Sequence, residues 1–93
     1  MIDAWKAAQI AQEYLGEVYS DTQFQGLQLE ELELTDDRDN WMITLSYITP
    51  GAIFTYPTPK DYKIFKISST DGEVISMKIR QLKWKTHTSP LLL

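Results

Sequence analysis

The sequence predicts an α+β fold in which one N-terminal helix packs on a four-stranded antiparallel β-meander, in the chain order α-β-β-β-β. Three observations carry this prediction. Apolar residues in segment 4–18 recur with the 3.6-residue period of a helix. Four later runs alternate apolar and polar side chains with the two-residue period of a strand. Short connections rich in turn-forming residues favour antiparallel neighbours in simple up-and-down order.

The helix should run from residue 3 to about residue 20, with Asp3 as the N-cap whose carboxylate accepts hydrogen bonds from first-turn amides. Its apolar stripe consists of Ala4, Ala8, Ala11, Leu15 and Val18, flanked by Ala7, Ile10 and Tyr14. A glycine costs about 1 kcal/mol inside a helix. We therefore expect a strand side chain to press against the helix backbone at Gly16, the alternative being that the helix ends there.

The first strand should contain an irregularity. Its leucines change phase between Leu29 and Leu32, and a strand changes phase only through an extra residue. We expect a bulge or a strand start at residues 30–31. The turn-forming run 36–40 then leads into a second strand over residues 41–47, antiparallel to the first.

Segment 62–80 predicts a β-hairpin around which the rest of the fold is organised. Its strands, 64–68 and 73–80, are joined by the turn 69–72, where Asp71 and Gly72 supply turn chemistry. One face should carry the apolar side chains that the helix covers, and these are Phe65, Ile67, Ile75, Met77 and Ile79.

Two segments break the alternation and supply candidate binding residues. The loop 49–61 contains Ile53, Phe54 and Tyr56, and loops carry contact residues more often than frameworks do. The alternative is that Ile53 or Phe54 folds back to plug one end of the core. Trp84 lies among lysines in a C-terminal extension of the sheet, and Pro90 precedes three leucines in a tail that could fray, strap the core or contact a second copy.

Length and charge indicate one domain, spanning residues 1–93 with a core over about 3–82 and an extension over 83–93. The net charge is −4, with a balance of −8 in residues 1–59 and of +4 in residues 60–93. We expect acidic and basic strands to neighbour one another on an exposed sheet face. The alternative is a bipolar surface that steers partners.

The inventory of chemical groups predicts a protein that is not an enzyme and holds no metal or cofactor. The chain has no cysteine, and its single histidine, His87, stands in the tail, so a zinc site or a catalytic triad lacks its residues. Asp36, Asp37 and Asp39 match no calcium loop and favour a solvated turn. The four glycines are scattered and form no phosphate loop.

The sequence indicates neither nucleic acid nor a membrane as a partner. The basic residues of segment 78–85 interleave with Trp84, but an edge strand guarded by lysines explains them better than a nucleic-acid site, since the first two-thirds of the chain is acidic. No apolar run approaches the ~20 residues that span a bilayer. The N-terminus lacks the pattern of a secretory signal, so we expect a cytoplasmic protein.

The alanine-striped helix, the meander and the closing hairpin YKIFKISSTDGEVISMKIR together resemble PepSY-like domains over about residues 3–82. The resemblance implies a helix on a curved sheet, similar to cystatin-like folds. It also implies a binding or inhibitory role, as in the propeptides of secreted proteases, and no catalytic residues. A fainter resemblance, in the helix 7–15 and the tryptophan-led strand 41–47, is to small bacterial immunity proteins.

The sequence therefore predicts a small non-catalytic module that contacts a protein partner through the 50–60 loop or the C-terminal strand. One alternative is an inhibitor of the immunity or antitoxin type that uses its acidic half. Another is a small-ligand protein or enzyme whose concave sheet presents Trp41, Tyr47 or Tyr62. A homodimer through strand edges or through the C-terminal tail is compatible with each of them.

Overall fold

The computed structural model describes residues 1–51 and 58–80. One helix, α1 (Ala4–Val18), precedes a four-stranded antiparallel sheet whose strands lie side by side in chain order. The strands are β1 (Gln28–Leu34), β2 (Asn40–Ile48), β3 (Lys60–Ser68) and β4 (Val74–Ile79). The predicted α+β class and the α-β-β-β-β order are confirmed.

Helix α1 begins at the predicted cap, because Asp3 Oδ1 accepts a hydrogen bond from the Lys6 amide over 2.8 Å. The helix buries Ala7, Ala11 and Leu15. These residues are spaced by four and form one line along the helix. The predicted stripe was therefore centred wrongly, since Val18 is exposed at the end of the helix. The backbone leaves the helix after Val18, where the Tyr19 amide donates to Leu15 O over 3.1 Å.

Gly16 lies inside α1, but the predicted contact with a strand is absent from the described part of the chain. It is exposed, and a Cβ built on it would meet no atom within 4 Å. The close approach between helix and sheet lies instead at Gly72, in the turn between β3 and β4. A Cβ there would stand 2.8 Å from Ile10 Cδ1, and the positive φ of 80° suits glycine.

The core lies between α1 and one face of the sheet. The three buried helix residues pack with the central strands at Ile43, Leu45, Tyr47, Phe65 and Ile67. Aromatic rings from the linker after α1 close one end, where Phe24 and Tyr47 stack at a tilt with centroids 4.4 Å apart. Residues 43, 45 and 47 alternate along β2, so every second side chain of that strand enters the core, as the sequence predicted.

Strand β1 contains the predicted bulge. Leu29 faces Leu45 and Glu31 faces Thr44, so Glu30 is the extra residue. The extra residue shifts the alternation of side chains by one position. Leu32 therefore faces Ile43 on the helix side of the sheet, the same side as Leu29. The predicted phase change of the leucines is confirmed.

The hairpin β3–β4 has the predicted turn, in which the Gly72 amide donates to Ser68 O over 2.9 Å. Its second strand departs from the prediction, because a further bulge lies where Lys66 faces Ser76 and Ile67 faces Val74. Ile75 is the extra residue and is 51% exposed, while Ile79 at the sheet edge is 70% exposed. The expectation that the helix covers both isoleucines was wrong, whereas Phe65 and Met77 do belong to the core and its rim.

Strand β3 begins earlier than predicted. It starts at Lys60, inside the segment 49–61 that the sequence indicated as loop, because Tyr47 and Ile48 pair with Asp61 and Lys60. A hydrogen bond from Thr49 Oγ1 to Asp61 Oδ1, 2.9 Å long, joins the two strand ends.

Candidate functional site

A groove of about 550 Å³ lies between α1 and β1. The helix contributes the side chains that adjoin its buried line, and the strand contributes two leucines from its helix side. Small alanines at the helix wall leave the space that the groove occupies. The lining residues are Ala4, Trp5, Ala8, Gln9, Gln12, Leu29 and Leu32.

The groove exposes large apolar side chains. Trp5 is 79% exposed and Leu29 is 47% exposed. Exposed apolar surface of this kind, bordered by polar groups such as Gln9 and Gln12, is typical of protein interaction sites. Tryptophan in particular supplies a large share of the binding free energy in protein interfaces. The groove is therefore suited to receive apolar side chains of another molecule.

The sheet edge beside the groove has no neighbouring strand among the described residues. Strand β1 is the first strand of the sheet, and within residues 1–51 and 58–80 it pairs only with β2. No described strand pairs with the outward-pointing backbone N–H and C=O groups of β1, and such groups of an edge strand can pair with another chain. The side chains of Glu30, Glu31 and Glu33 along this strand are all exposed.

A polar cluster covers the sheet face that α1 leaves open. Arg80 pairs with Glu31 across the two central strands and donates from the same nitrogen to Thr44 Oγ1 over 3.3 Å. Ser46 Oγ donates to Glu30 Oε2 over 2.6 Å. These bonds explain how Thr44 and Ser46 are buried on a face without a helix. The cluster holds opposite charges in contact with each other, so it contributes to sheet structure.

The charge distribution corrects one prediction. Acidic and basic strands are not neighbours, because the uncharged strand β2 separates acidic β1 from basic β3 and β4. The acidic side chains line one edge of the sheet, and Lys78 lies on the strand at the other edge. The two signs of charge nevertheless meet on the sheet face away from α1, where Arg80 pairs with Glu31.

The three aromatic residues considered for a ligand site do not share a pocket. Trp41 is held at the helix side by a hydrogen bond from its Nε1 to Ile2 O, 3.1 Å long. Tyr47 is buried in the core, and this burial, with the nearby Asp61 carboxylate and Tyr19, raises the pKa of its hydroxyl. Tyr62 faces the opposite side of the sheet, beside Arg80, where the two line a cavity of about 240 Å³ with Glu30 and Glu31.

The aspartates of the turn 36–39 hold the turn together. Asp37 Oδ1 accepts hydrogen bonds from Thr35 Oγ1 over 2.6 Å and from the Asp39 amide over 2.9 Å. Both bonds lower the pKa of the Asp37 carboxyl, the hydroxyl bond more than the amide bond. The predicted turn is confirmed. Among the described residues, no group of three or more potential ligands is arranged to hold a metal ion.

Sequence reasoning missed the groove and favoured other positions. The binding candidates Ile53, Phe54, Tyr56 and Trp84 all lie outside the described residues, as does His87, and they stay predictions. The signal for the groove was Trp5, a large aromatic residue beside the alanine stripe of a helix that is otherwise polar on that side. Leu29, which lines the groove with Trp5, was considered only for the change of phase in the first strand.

Within the residues that the structure describes, no helix is long and apolar enough to cross a bilayer. The chain matches no protein-family model, and no curated protein or solved structure is significantly similar to it. The site is therefore interpreted from its own geometry.

Proposed function

We propose that this protein is a non-catalytic binding module that holds a protein partner at the groove between α1 and β1. One observation carries the proposal: Trp5 is 79% exposed at the wall of an apolar groove that adjoins an open strand edge. An exposed tryptophan in such a setting loses contact with water when a partner covers it, and that burial favours binding.

The fold accords with the proposal. A single helix on an antiparallel sheet is the arrangement that the resemblance to PepSY-like domains implies, and those domains are associated with binding and inhibition. The polar groups of the open sheet face engage one another in hydrogen bonds and an ion pair. These contacts support a structural role for the polar cluster. We therefore assign the binding of a partner to the apolar groove.

The proposal is tested by affinity capture from native lysate with the full chain as bait. We expect Trp5→Ala to lose most of the specifically retained protein, because the substitution removes the largest side chain of the groove. The matched control is Lys6→Ala, an exposed position on the same helix outside the groove. Retention should be unchanged in this control.

The same capture separates the groove from the surface that the sequence predicted. Phe54→Ala and Tyr56→Ala test the loop, and Trp84→Ala tests the C-terminal strand. If these variants lost the retained protein while Trp5→Ala kept it in full, the binding surface would be the loop or the C-terminal strand and not the groove. Loss in no variant would contradict a protein-binding role for either surface.

A second candidate, an inhibitor of a basic enzyme or toxin, is favoured by the exposed acidic run along β1 and the following turn. This run comprises Glu30, Glu31, Glu33, Asp36, Asp37 and Asp39. If the retained partner is a basic enzyme, adding the purified chain should lower its activity in proportion to complex formed. If the activity of the enzyme is unchanged in the complex, the chain binds the enzyme without inhibiting it.

A further inference from the structure

We propose that the outer edge of β1 accepts an extended, lysine- or arginine-bearing segment of the partner protein as a fifth strand, whose alternate apolar side chains fill the groove beside Trp5. This inference rests on the proposed binding function and names the chemistry of the partner. It draws on three features of the described residues: an open strand edge, an apolar groove on one side of that edge, and carboxylates on the other side.

The first feature is the position of the groove relative to the edge. Leu29 and Leu32 of β1 form its floor, and α1 forms its wall with Trp5 and Ala8. Neighbouring strands of a sheet lie about 4.8 Å apart. A strand added to β1 would place every second side chain next to these leucines, within the groove. The regular stretch after the bulge at Glu30, residues 31–34, provides the register for pairing.

The second feature is the charge on the opposite face. Glu31 and Glu33 face Thr44 and Met42, on the side of the sheet away from α1, and both are exposed. Glu31 already pairs with Arg80, so Glu33 is the carboxylate of the two that would attract a basic side chain most strongly. The side chains of an added strand that do not enter the groove would stand beside these carboxylates. Opposite charges on adjacent strands stabilise the pair, and like charges destabilise it. Lysine or arginine at these alternate positions is therefore favoured over aspartate or glutamate.

The same charges disfavour a second copy of this chain at the same edge. Two β1 strands paired antiparallel would bring the Glu31 and Glu33 side chains of one chain next to those of the other. The bulge at Glu30 further interrupts a self-paired edge. Charge repulsion at this edge therefore disfavours pairing with a second copy of β1 and still permits pairing with a basic strand. Repulsion of an unwanted partner is a common source of binding specificity.

The test uses the full chain and synthetic peptides of about seven residues, a length usual for strands. The probe alternates valine and lysine (VKVKVKV), and the charge control alternates valine and glutamate (VEVEVEV). A fully N-methylated form of the probe keeps its side chains but can donate no backbone hydrogen bond. Binding is followed by nuclear magnetic resonance, which assigns the shifted amides to β1 or to β4.

We expect VKVKVKV to bind saturably and to shift the resonances of Trp5 and β1. Both control peptides should bind at least about tenfold more weakly. Trp5→Ala should weaken binding of the probe about tenfold. Glu33→Gln should also weaken binding of the probe and should reduce the dependence of that binding on salt concentration. The matched control is Lys78→Gln on the opposite edge strand, which should leave binding unchanged.

Four results of the peptide experiment would overturn the inference. They are absence of saturable binding by VKVKVKV, equal binding of the glutamate peptide, undiminished binding of the N-methylated probe, and shifts confined to β4. Self-association of the chain that Trp5→Ala abolishes would assign the groove to a second copy and would also overturn it. If lysate capture depends on Trp5 while VKVKVKV does not bind, the proposed binding function stands and the strand-addition inference alone fails.

Discussion

The indole of Trp41 donates a hydrogen bond from Nε1 to the carbonyl oxygen of Ile2, 39 residues earlier in the chain and 3.1 Å away. The amide of Ile2 in turn donates to Ser69 O over 2.7 Å. The residue before the N-cap is thus bound to β2 and to the turn between β3 and β4. These two bonds fix where α1 starts relative to the sheet, and with it the position of Trp5 above β1.

Replacement of Trp41 by phenylalanine should therefore destabilise the fold and loosen the start of α1. The change removes the donor to Ile2 O in a partly buried hydrogen bond, and a bond of this kind contributes about 0.5–1.5 kcal/mol. Chemical denaturation gives the loss, and amide exchange at residues 2–7 reports the fraying. Trp5→Phe is the control: this exposed position should change the free energy of unfolding by less than about 0.5 kcal/mol. Equal losses in the two variants would contradict the anchoring role of Trp41.

Two glycine substitutions should change the free energy of unfolding in opposite directions. Gly16→Ala should stabilise the protein by about 1 kcal/mol, because the residue is helical and a Cβ would meet nothing within 4 Å. Gly72→Ala should destabilise it by about 1–2 kcal/mol, since its φ is 80° and the Cβ would approach Ile10 Cδ1. Thermal and urea unfolding measure both changes. A destabilised Gly16→Ala would show that Gly16 does meet another part of the chain.

Acid should destabilise the fold partly through Asp37. Its hydrogen bonds from Thr35 and Asp39 lower its pKa below the ordinary value of 3.8. A carboxyl with a depressed folded pKa contributes stability that is complete above the unfolded pKa and is lost as pH falls through the folded pKa. Asp37→Asn should therefore reduce stability at neutral pH and flatten its decline below about pH 4.

The control for that prediction is Asp36→Asn, which removes a carboxylate of the same turn that accepts neither hydrogen bond. It should retain most of the acid sensitivity of the wild-type chain. The measurement is the free energy of unfolding in urea as a function of pH. If Asp36→Asn and Asp37→Asn flatten the profile equally, the general negative charge of the turn, and not its hydrogen bonds, causes the effect.

The ion pair between Arg80 and Glu31 should contribute little to stability as a pair. Its side chains are 36% and 59% exposed, so water screens the attraction, and pairs of this type contribute about 0.2–1 kcal/mol. Arg80→Ala should cost more than Glu31→Ala, because it also exposes Thr44 Oγ1 and removes its donor. A double-mutant cycle measures the coupling, with Arg80 and Glu33 as the uncoupled reference pair. A coupling well above 1 kcal/mol would contradict the screened character of the pair.

The predictable part of the fold followed from local signals. The Asp3 cap, the alternation along β2 and the glycine turn at Gly72 depend on a few neighbouring residues, and each is confirmed. The phase of the leucines even located the bulge at Glu30, because a change of period has one simple geometric cause.

The wrong predictions depended on tertiary contacts. The bulge at Ile75 leaves no trace in the alternation, since Val74 and Ile75 are both apolar and Ile75 is the one that alternates regularly with Met77. The rotation of α1 about its axis decides whether Ala4 or Ala7 faces the sheet, and a helix apolar over a wide arc does not encode that choice. The groove arises from that rotation, so Trp5 could be identified as part of a site only after the helix was placed.

Glu30 has an effect on β1 that reaches beyond its own side chain. If this single residue were deleted, the leucines would alternate without interruption with Gln28, Glu31 and Glu33 over segment 27–34, and every leucine would still face α1. The outer edge of β1 would then be regular along its whole length, and regular edge strands pair more readily with other chains than bulged ones. The bulge at Glu30 thus interrupts the regular outer edge of β1, and we expect its deletion to increase self-association at high protein concentration, an effect that light scattering would measure.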